Sequence, residues 1–178
     1  MQMFWGRCNI ESAAAFSYFN KGSRIRKLVH CLKYDGVKEV GYELGKIYGL
    51  SLKASGFLDN IDFIVPIPLH KSRKRARGFN QSEMISAGIS EASCLPVVTN
   101  AVERRAATST QTKYTKTERW SNVNEAFIVK KPELFAGKHV LLVDDVITTG
   151  ATMESCASEI LKAEGARVSL AALACVLS

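Results

Sequence analysis

Four consecutive aliphatic residues, Val140–Val143, run straight into two carboxylates, Asp144 and Asp145, and then into the turn-forming stretch Thr148-Thr149-Gly150. A strand that is apolar on both faces must be covered on both faces, which calls for a parallel sheet with helices above and below it. The residues after the turn agree with this. Met153, Cys156, Ala157, Ile160 and Leu161 recur at helical spacing, Gly165 closes that helix, and Val168–Leu173 is a second aliphatic run. The expected fold is therefore α/β, an open, mostly parallel twisted sheet with helices on both faces.

The rest of the chain fits around that unit. Phe63-Ile64-Val65, closed by Pro66 and Pro68, predicts a buried strand ending in a constrained loop. Ala13–Phe19 and Pro96-Val97-Val98 are further candidate strands. Ile25, Leu28, Val29 and Leu32 predict one helix, which Asp35-Gly36 ends. Val37, Val40, Leu44, Ile47 and Tyr48 predict a second. Met84, Ile85, Gly88 and Ile89 place a third over Gln81–Ala92. Residues 1–57 are expected to form a small hood-like strand-and-helix unit packed on a core of residues 58–178. Asn100–Asn124, rich in Ser, Thr and charged residues and nearly devoid of aliphatic ones, reads as a flexible loop.

Charge narrows the partners. Lysine and arginine number 24 against 17 acids, a net charge of +7, which favours anionic ligands. Lys71, Arg73, Lys74, Arg75 and Arg77 form an acid-free basic loop. The five cysteines are scattered with no Cys-x-x-Cys pair, so no zinc site is expected from them. No apolar run approaches the ~20 residues of a membrane span, and no charged-then-apolar leader opens the sequence. A cytoplasmic protein without membrane contact is the expectation.

The chemistry concentrates in Val140–Thr152. Ligands of open α/β sheets bind beyond the carboxyl ends of the strands. A turn at a helix N-terminus offers free backbone N–H groups to a phosphate. Thr148, Thr149 and Thr152 add hydroxyl donors, and Gly150 allows close approach. Ionised carboxylates only accept hydrogen bonds, whereas vicinal hydroxyls donate them. Acids at one end of a short turn and a phosphate cradle at the other therefore suggest a sugar phosphate. A P-loop would need a lysine in the turn, and there is none.

The thirteen residues Val140–Thr152 resemble, at every position, the signature of type I phosphoribosyltransferases that binds 5-phosphoribosyl-1-pyrophosphate (PRPP). Val65–His70, Arg77–Glu83, Thr110-Gln111-Thr112, Arg119-Trp120, Asn122-Val123 and Ala126-Phe127 are similar to the ComF/GntX group of that family. The resemblance covers roughly residues 10–176. Members of that group open with a cysteine-rich zinc module, and these residues contain no such cluster.

The resemblance implies that Asp144 and Asp145 hold the ribose hydroxyls. Val146, Ile147, Thr148, Thr149, Gly150, Ala151 and Thr152 would wrap the 5′-phosphate. Leu69, His70 and Lys71 would meet pyrophosphate, joined by Arg104, Arg105 and Arg119 from a closing loop. His70 has a second role open to it, as a loop cap. Mg²⁺ would arrive mainly on the pyrophosphate. The implied reaction is Mg²⁺-dependent phosphoribosyl transfer from PRPP to a small-molecule acceptor that the sequence does not identify, releasing pyrophosphate. The alternative is a competence or DNA-uptake protein. There Arg73, Lys74, Arg75 and Arg77 track single-stranded DNA, and the phosphoribosyl site is regulatory or vestigial. A homodimer is one expected assembly.

Overall fold

The computed structural model describes residues 8–20, 22–105 and 127–176. Four parallel strands form its sheet, in the order β1 (Ser12–Tyr18), β6 (Arg167–Cys175), β5 (His139–Ile147) and β2 (Phe63–Pro66). Val140 faces Phe63 on one side and Val168 on the other, which places the aliphatic run of β5 at the centre. Val140, Leu141, Leu142 and Val143 are all fully buried. The covered, mostly parallel sheet expected from that run is present, and its four strands all pair in parallel. Val97 adds a single parallel bridge to Ile64, so Pro96–Val98 extends the sheet past β2 only briefly.

Helices cover both faces. On one face α5 (Ala151–Ile160) buries Met153, Cys156, Ala157 and Ile160 against Val140, Leu142, Val168 and Leu170. On the other face α1 (Arg24–Tyr34), α2 (Lys38–Ala54) and α4 (Gln81–Ser93) cover Leu141, Val143, Ala171 and Leu173. Alternation along β5 sends successive side chains to opposite layers. β1 is an edge strand of this same sheet, with Ser12 opposite Ser169. Of the elements described before residue 58, β1 belongs to the sheet, and α1 and α2 lie outside it.

The contact between α2 and α4 is unusually close. Gly41, Gly45 and Gly49 are spaced four apart on α2, and Gly88 faces them from α4. A Cβ at position 45 would stand 2.2 Å from the Ile85 carbonyl oxygen, and one at position 88 would stand 2.1 Å from that of Tyr42. The expected aliphatic face of α2 is corrected here. Tyr48 is buried and Leu44 half-buried, but Ile47 is 51% exposed, and glycines make the tightest contact. Glycine buries backbone against backbone, which apolar periodicity does not register.

Two further expectations are corrected. The basic stretch after Pro68 is a helix, α3 (Lys71–Arg77), rather than a loop. Its Lys, Arg and Ala residues are good helix formers. The His70 ring nitrogen caps it through the Ser72 N–H, and Gly78 ends it in the left-handed conformation. The opening of Asn100–Asn124 is also ordered: β3 (Val102–Arg104) pairs antiparallel with β4 (Phe127–Val129). The remainder of that loop, with Arg119 and Trp120, lies outside the described residues. No described helix is long and apolar enough to cross a membrane.

Candidate functional site

The carboxyl ends of β5 and β2, the start of α3 and the N-termini of α4 and α5 meet at one end of the sheet. Asp144 and Asp145 lie within the last residues of β5. Their neighbours explain how adjacent acids are held there. Asp144 Oδ1 accepts from the Ser82 hydroxyl at 2.9 Å and from the Asp145 N–H at 2.9 Å. Asp145 Oδ1 pairs with the Lys33 ammonium of α1 at 2.9 Å. The Oδ2 atom of each carboxylate has no hydrogen-bond partner among the described residues. Burial, and then the Asp145 charge beside it, push the Asp144 carboxyl well above the usual aspartate range.

The turn after β5 divides by role. Ile147 is buried, and Val146 packs against Ile25 and Val29 of α1, so a ligand can reach only their backbone. Thr148 and Thr149 are exposed in the turn. Thr149 Oγ1 accepts from the Ala151 N–H at 3.4 Å. Gly150 is left-handed, with φ 79°, and forms the N-cap of α5. A side chain there would strain the turn. Ala151 and Thr152 open α5, so the backbone N–H groups of a helix start face the same mouth as the two acids.

The remaining expected residues separate. Leu69 and His70 form the loop between β2 and α3, and Lys71 opens α3, ion-paired at 3.0 Å with Glu103 of β3. His70 serves as the helix cap. Arg104 is brought to the site. It lies over the Phe127 ring at 5.3 Å, with Asp144 as its nearby opposite charge and Arg73 as a like charge. Burial and Arg73 lower its pKa. Arg105 is exposed beyond β3. On α3, Lys74 pairs with Glu83 at 3.2 Å, and Arg77 donates to Gln81 at 3.0 Å and sits over Tyr34. Arg75 is exposed, and α3 contains no buried residue. Arg119 lies outside the described residues.

Sequence reasoning missed three positioning residues. Asn80 caps α4 and donates from Nδ2 to the Ile67 carbonyl at 2.9 Å, fixing the loop that precedes α3. Ser82 holds Asp144, and Lys33 holds Asp145. The near-complete burial of Asn80, Gln81 and Ser82 explains why so polar a run sits at a helix start. Among the described residues, no group of three or more His, Cys, Asp or Glu side chains could hold a metal ion.

Comparison with known proteins bears on this geometry directly. The profile of the phosphoribosyl transferase domain matches residues 60–177. The chain belongs to this family. Its relatives place it in the ComF-like branch of the type I phosphoribosyltransferases. The DNA utilization protein YhgH of Escherichia coli (strain K12) is 33% identical over 144 residues, which cover 79% of this chain and 63% of that protein. Competence protein F of Haemophilus influenzae is 40% identical over 92 residues, 51% of this chain and 40% of that protein. Competence protein ComFC of Bacillus subtilis is 36% identical over 107 residues, 60% of this chain and 41% of that protein. The chain thus spans less than two thirds of the length of these relatives. Among solved structures, the glutamine PRPP amidotransferase from B. subtilis superposes with a TM-score of 0.53 at 18% identity. That match covers 75% of this chain and 26% of the amidotransferase and shows the shared fold.

Proposed function

We propose that this phosphoribosyltransferase-type chain binds PRPP with Mg²⁺ and transfers its phosphoribosyl group to a small acceptor, releasing pyrophosphate. The observation that carries this reading is one arrangement. Two adjacent carboxylates, each with an Oδ2 that no described residue hydrogen-bonds, lead through a single turn into the N-terminus of α5. The open oxygens suit the ribose hydroxyls, which donate. The backbone of Val146–Thr152 and the threonine hydroxyls suit the 5′-phosphate. Arg104 and the Leu69–Lys71 loop suit the Mg²⁺-pyrophosphate leaving group. The Mg²⁺ enters on that group rather than through a protein cage. As the bond from C1 to pyrophosphate breaks, positive charge grows on the ribose, and carboxylates held near the sugar would favour that change.

Calorimetry with Mg²⁺–PRPP tests the reading. Wild type should bind, and the double change Asp144→Asn, Asp145→Asn should abolish binding while leaving the fold intact. Absence of heat and of thermal stabilisation in wild type at millimolar ligand would reject it.

A second reading draws on α3. Its Arg73, Lys74, Arg75 and Arg77 stand on a helix without buried residues, and the relatives are named for DNA utilization and competence. Single-stranded DNA tracking α3 would be salt-sensitive. Replacing Arg73, Lys74 and Arg75 with serine should lower the log–log salt slope by about two, at ~0.7 per phosphate contact on a single strand. An unchanged slope would dismiss this surface.

A further inference from the structure

We propose that Lys33 is the counter-ion that favours the charged, hydroxyl-accepting form of the Asp144–Asp145 pair, and so is a positioning residue for the sugar. The sugar part of this rests on the PRPP reading above; the electrostatic part stands on the geometry alone.

Lys33 is set apart from the other paired lysines. Its side chain is 22% exposed and that of Asp145 12%, at 2.9 Å. The lysines of the other ion pairs among the described residues, Lys46, Lys71, Lys74, Lys130, Lys138 and Lys162, are 42–83% exposed. Removing an ammonium from water is costly, so a pair this sheltered needs a reason beyond surface decoration. Seating α1 is not that reason. Ile25, Val29 and Leu32 already bury its apolar stripe, and Val146 packs on it.

The reason lies in the acids. Two adjacent, sheltered carboxylates repel, and the less they are compensated the higher the pH at which one of them still holds a proton. A protonated carboxyl becomes a donor, and one of the two hydroxyl acceptors is lost. Among the described residues, the charged and titratable groups near the pair are these. From β3, Arg104 has Asp144 as a nearby opposite charge, and Arg73 of α3 is a like charge near Arg104. From α5 comes Cys156, whose thiol burial keeps neutral. From α4 comes the uncharged Ser82. Lys33 of α1 touches Asp145 and also acts favourably on the Asp144 charge. Because it occupies Asp145 Oδ1, hydroxyls can engage the Oδ2 atoms without displacing it.

Lys33→Met keeps the chain length and removes the charge; Lys33→Arg restores the charge. Carboxyl titration of ligand-free, aspartate-labelled protein by carbon NMR reads the electrostatic part. In Lys33→Met the midpoint of the pair should rise by about one pH unit or more, since a close opposite charge lowers a carboxylate by ~1–3 units. Lys33→Arg should titrate like wild type. Calorimetry with Mg²⁺–PRPP and with ribose 5-phosphate reads the sugar part. At pH 7, Lys33→Met should bind about fivefold weaker or more, because raising the Asp144 midpoint from about 7 by about one unit leaves roughly a tenth of it charged instead of roughly half. By pH 9 it should approach wild type, because the acids are then ionised without help. An unshifted midpoint overturns the proposal, as does an equal loss of affinity at every pH. A shifted midpoint in a protein whose wild type binds neither ligand would uphold the counter-ion and discard the PRPP reading.

Discussion

Gly45→Ala adds one methyl group at the α2/α4 crossing, and its effect can be worked from the contact distances. The new Cβ would meet the Ile85 carbonyl oxygen at 2.2 Å and the Ile85 carbonyl carbon at 3.0 Å. Both are backbone atoms of a helix, so neither can rotate away. Relief requires the helices to part by about 1 Å, a gap that forfeits a quarter to a half of each van der Waals well along the contact. Overpacking of this kind costs typically 1–3 kcal/mol, and a clash with backbone places the change near the upper end. Alanine returns roughly 1 kcal/mol of helix propensity over glycine. The expected net loss is about 2 kcal/mol, or a fall in Tm of ~4–8 °C for a chain of this size. Urea unfolding of wild type, Gly45→Ala and the exposed same-helix control Ser51→Ala provides the assay. The control should lie within ~0.5 kcal/mol of wild type. A Gly45→Ala protein as stable as that control, with an unchanged m-value, would refute the reasoning and imply a wider crossing.

Asp144 should behave oppositely in stability and in function. Its folded pKa is raised above the unfolded value. Its stabilising contribution is therefore complete below the ordinary aspartate pKa and is lost as pH rises through the raised one. Asp144→Asn should accordingly melt higher than wild type above neutrality, by a margin that closes near pH 4, while losing affinity for Mg²⁺–PRPP; a pH-independent difference in Tm would contradict the sign. Arg104→Ala should weaken Mg²⁺–PRPP binding by ~1–2 kcal/mol, in line with one lost charge-assisted contact. Arg104→Lys should restore little of it, because an ammonium neither stacks on Phe127 nor binds phosphate oxygens bidentately. Full rescue by lysine in the same titration would reduce Arg104 to a point charge.

Much of this was legible before any coordinates. β5 declared itself through four aliphatic residues, because only a doubly covered strand carries such a run, and α5 and β6 followed from period and turn chemistry. The acidic pair and the turn were read as one site because they are contiguous in sequence. The misses have two causes: α3 lacks an apolar period of its own, and the other two rest on what lies opposite in space. α3 has no apolar period, so Lys71–Arg77 looked like a loop; its stop at Gly78 and the good helix formers before it were the available signal. The α2 glycines were visible as Gly41-x-x-x-Gly45-x-x-x-Gly49, yet hydrophobic periodicity weighs glycine as nothing. Lys33 carries no sequence signal at all. A lone lysine on an amphipathic helix is ordinarily solvated, and nothing in its neighbours points to Asp145.

The pairing of Ser12 with Ser169 has a consequence for how the chain is made. β1 ends at Tyr18, whereas its hydrogen-bonded neighbour among the described strands, β6, begins at Arg167, so β1 leaves the ribosome well before its partner is synthesised. At ~5–20 residues per second, β1 waits on the order of ten to thirty seconds for a partner. Throughout that interval α1 and α2 have no sheet on which to bury Leu32, Tyr48 and Leu52. β5 and β6, which join the two halves of the sheet, come after both β1 and β2. The sheet is thus closed in one late step, and a nascent chain halted before Arg167 would present both an unpaired β1 and an uncovered edge of β5 to whatever binds open strands.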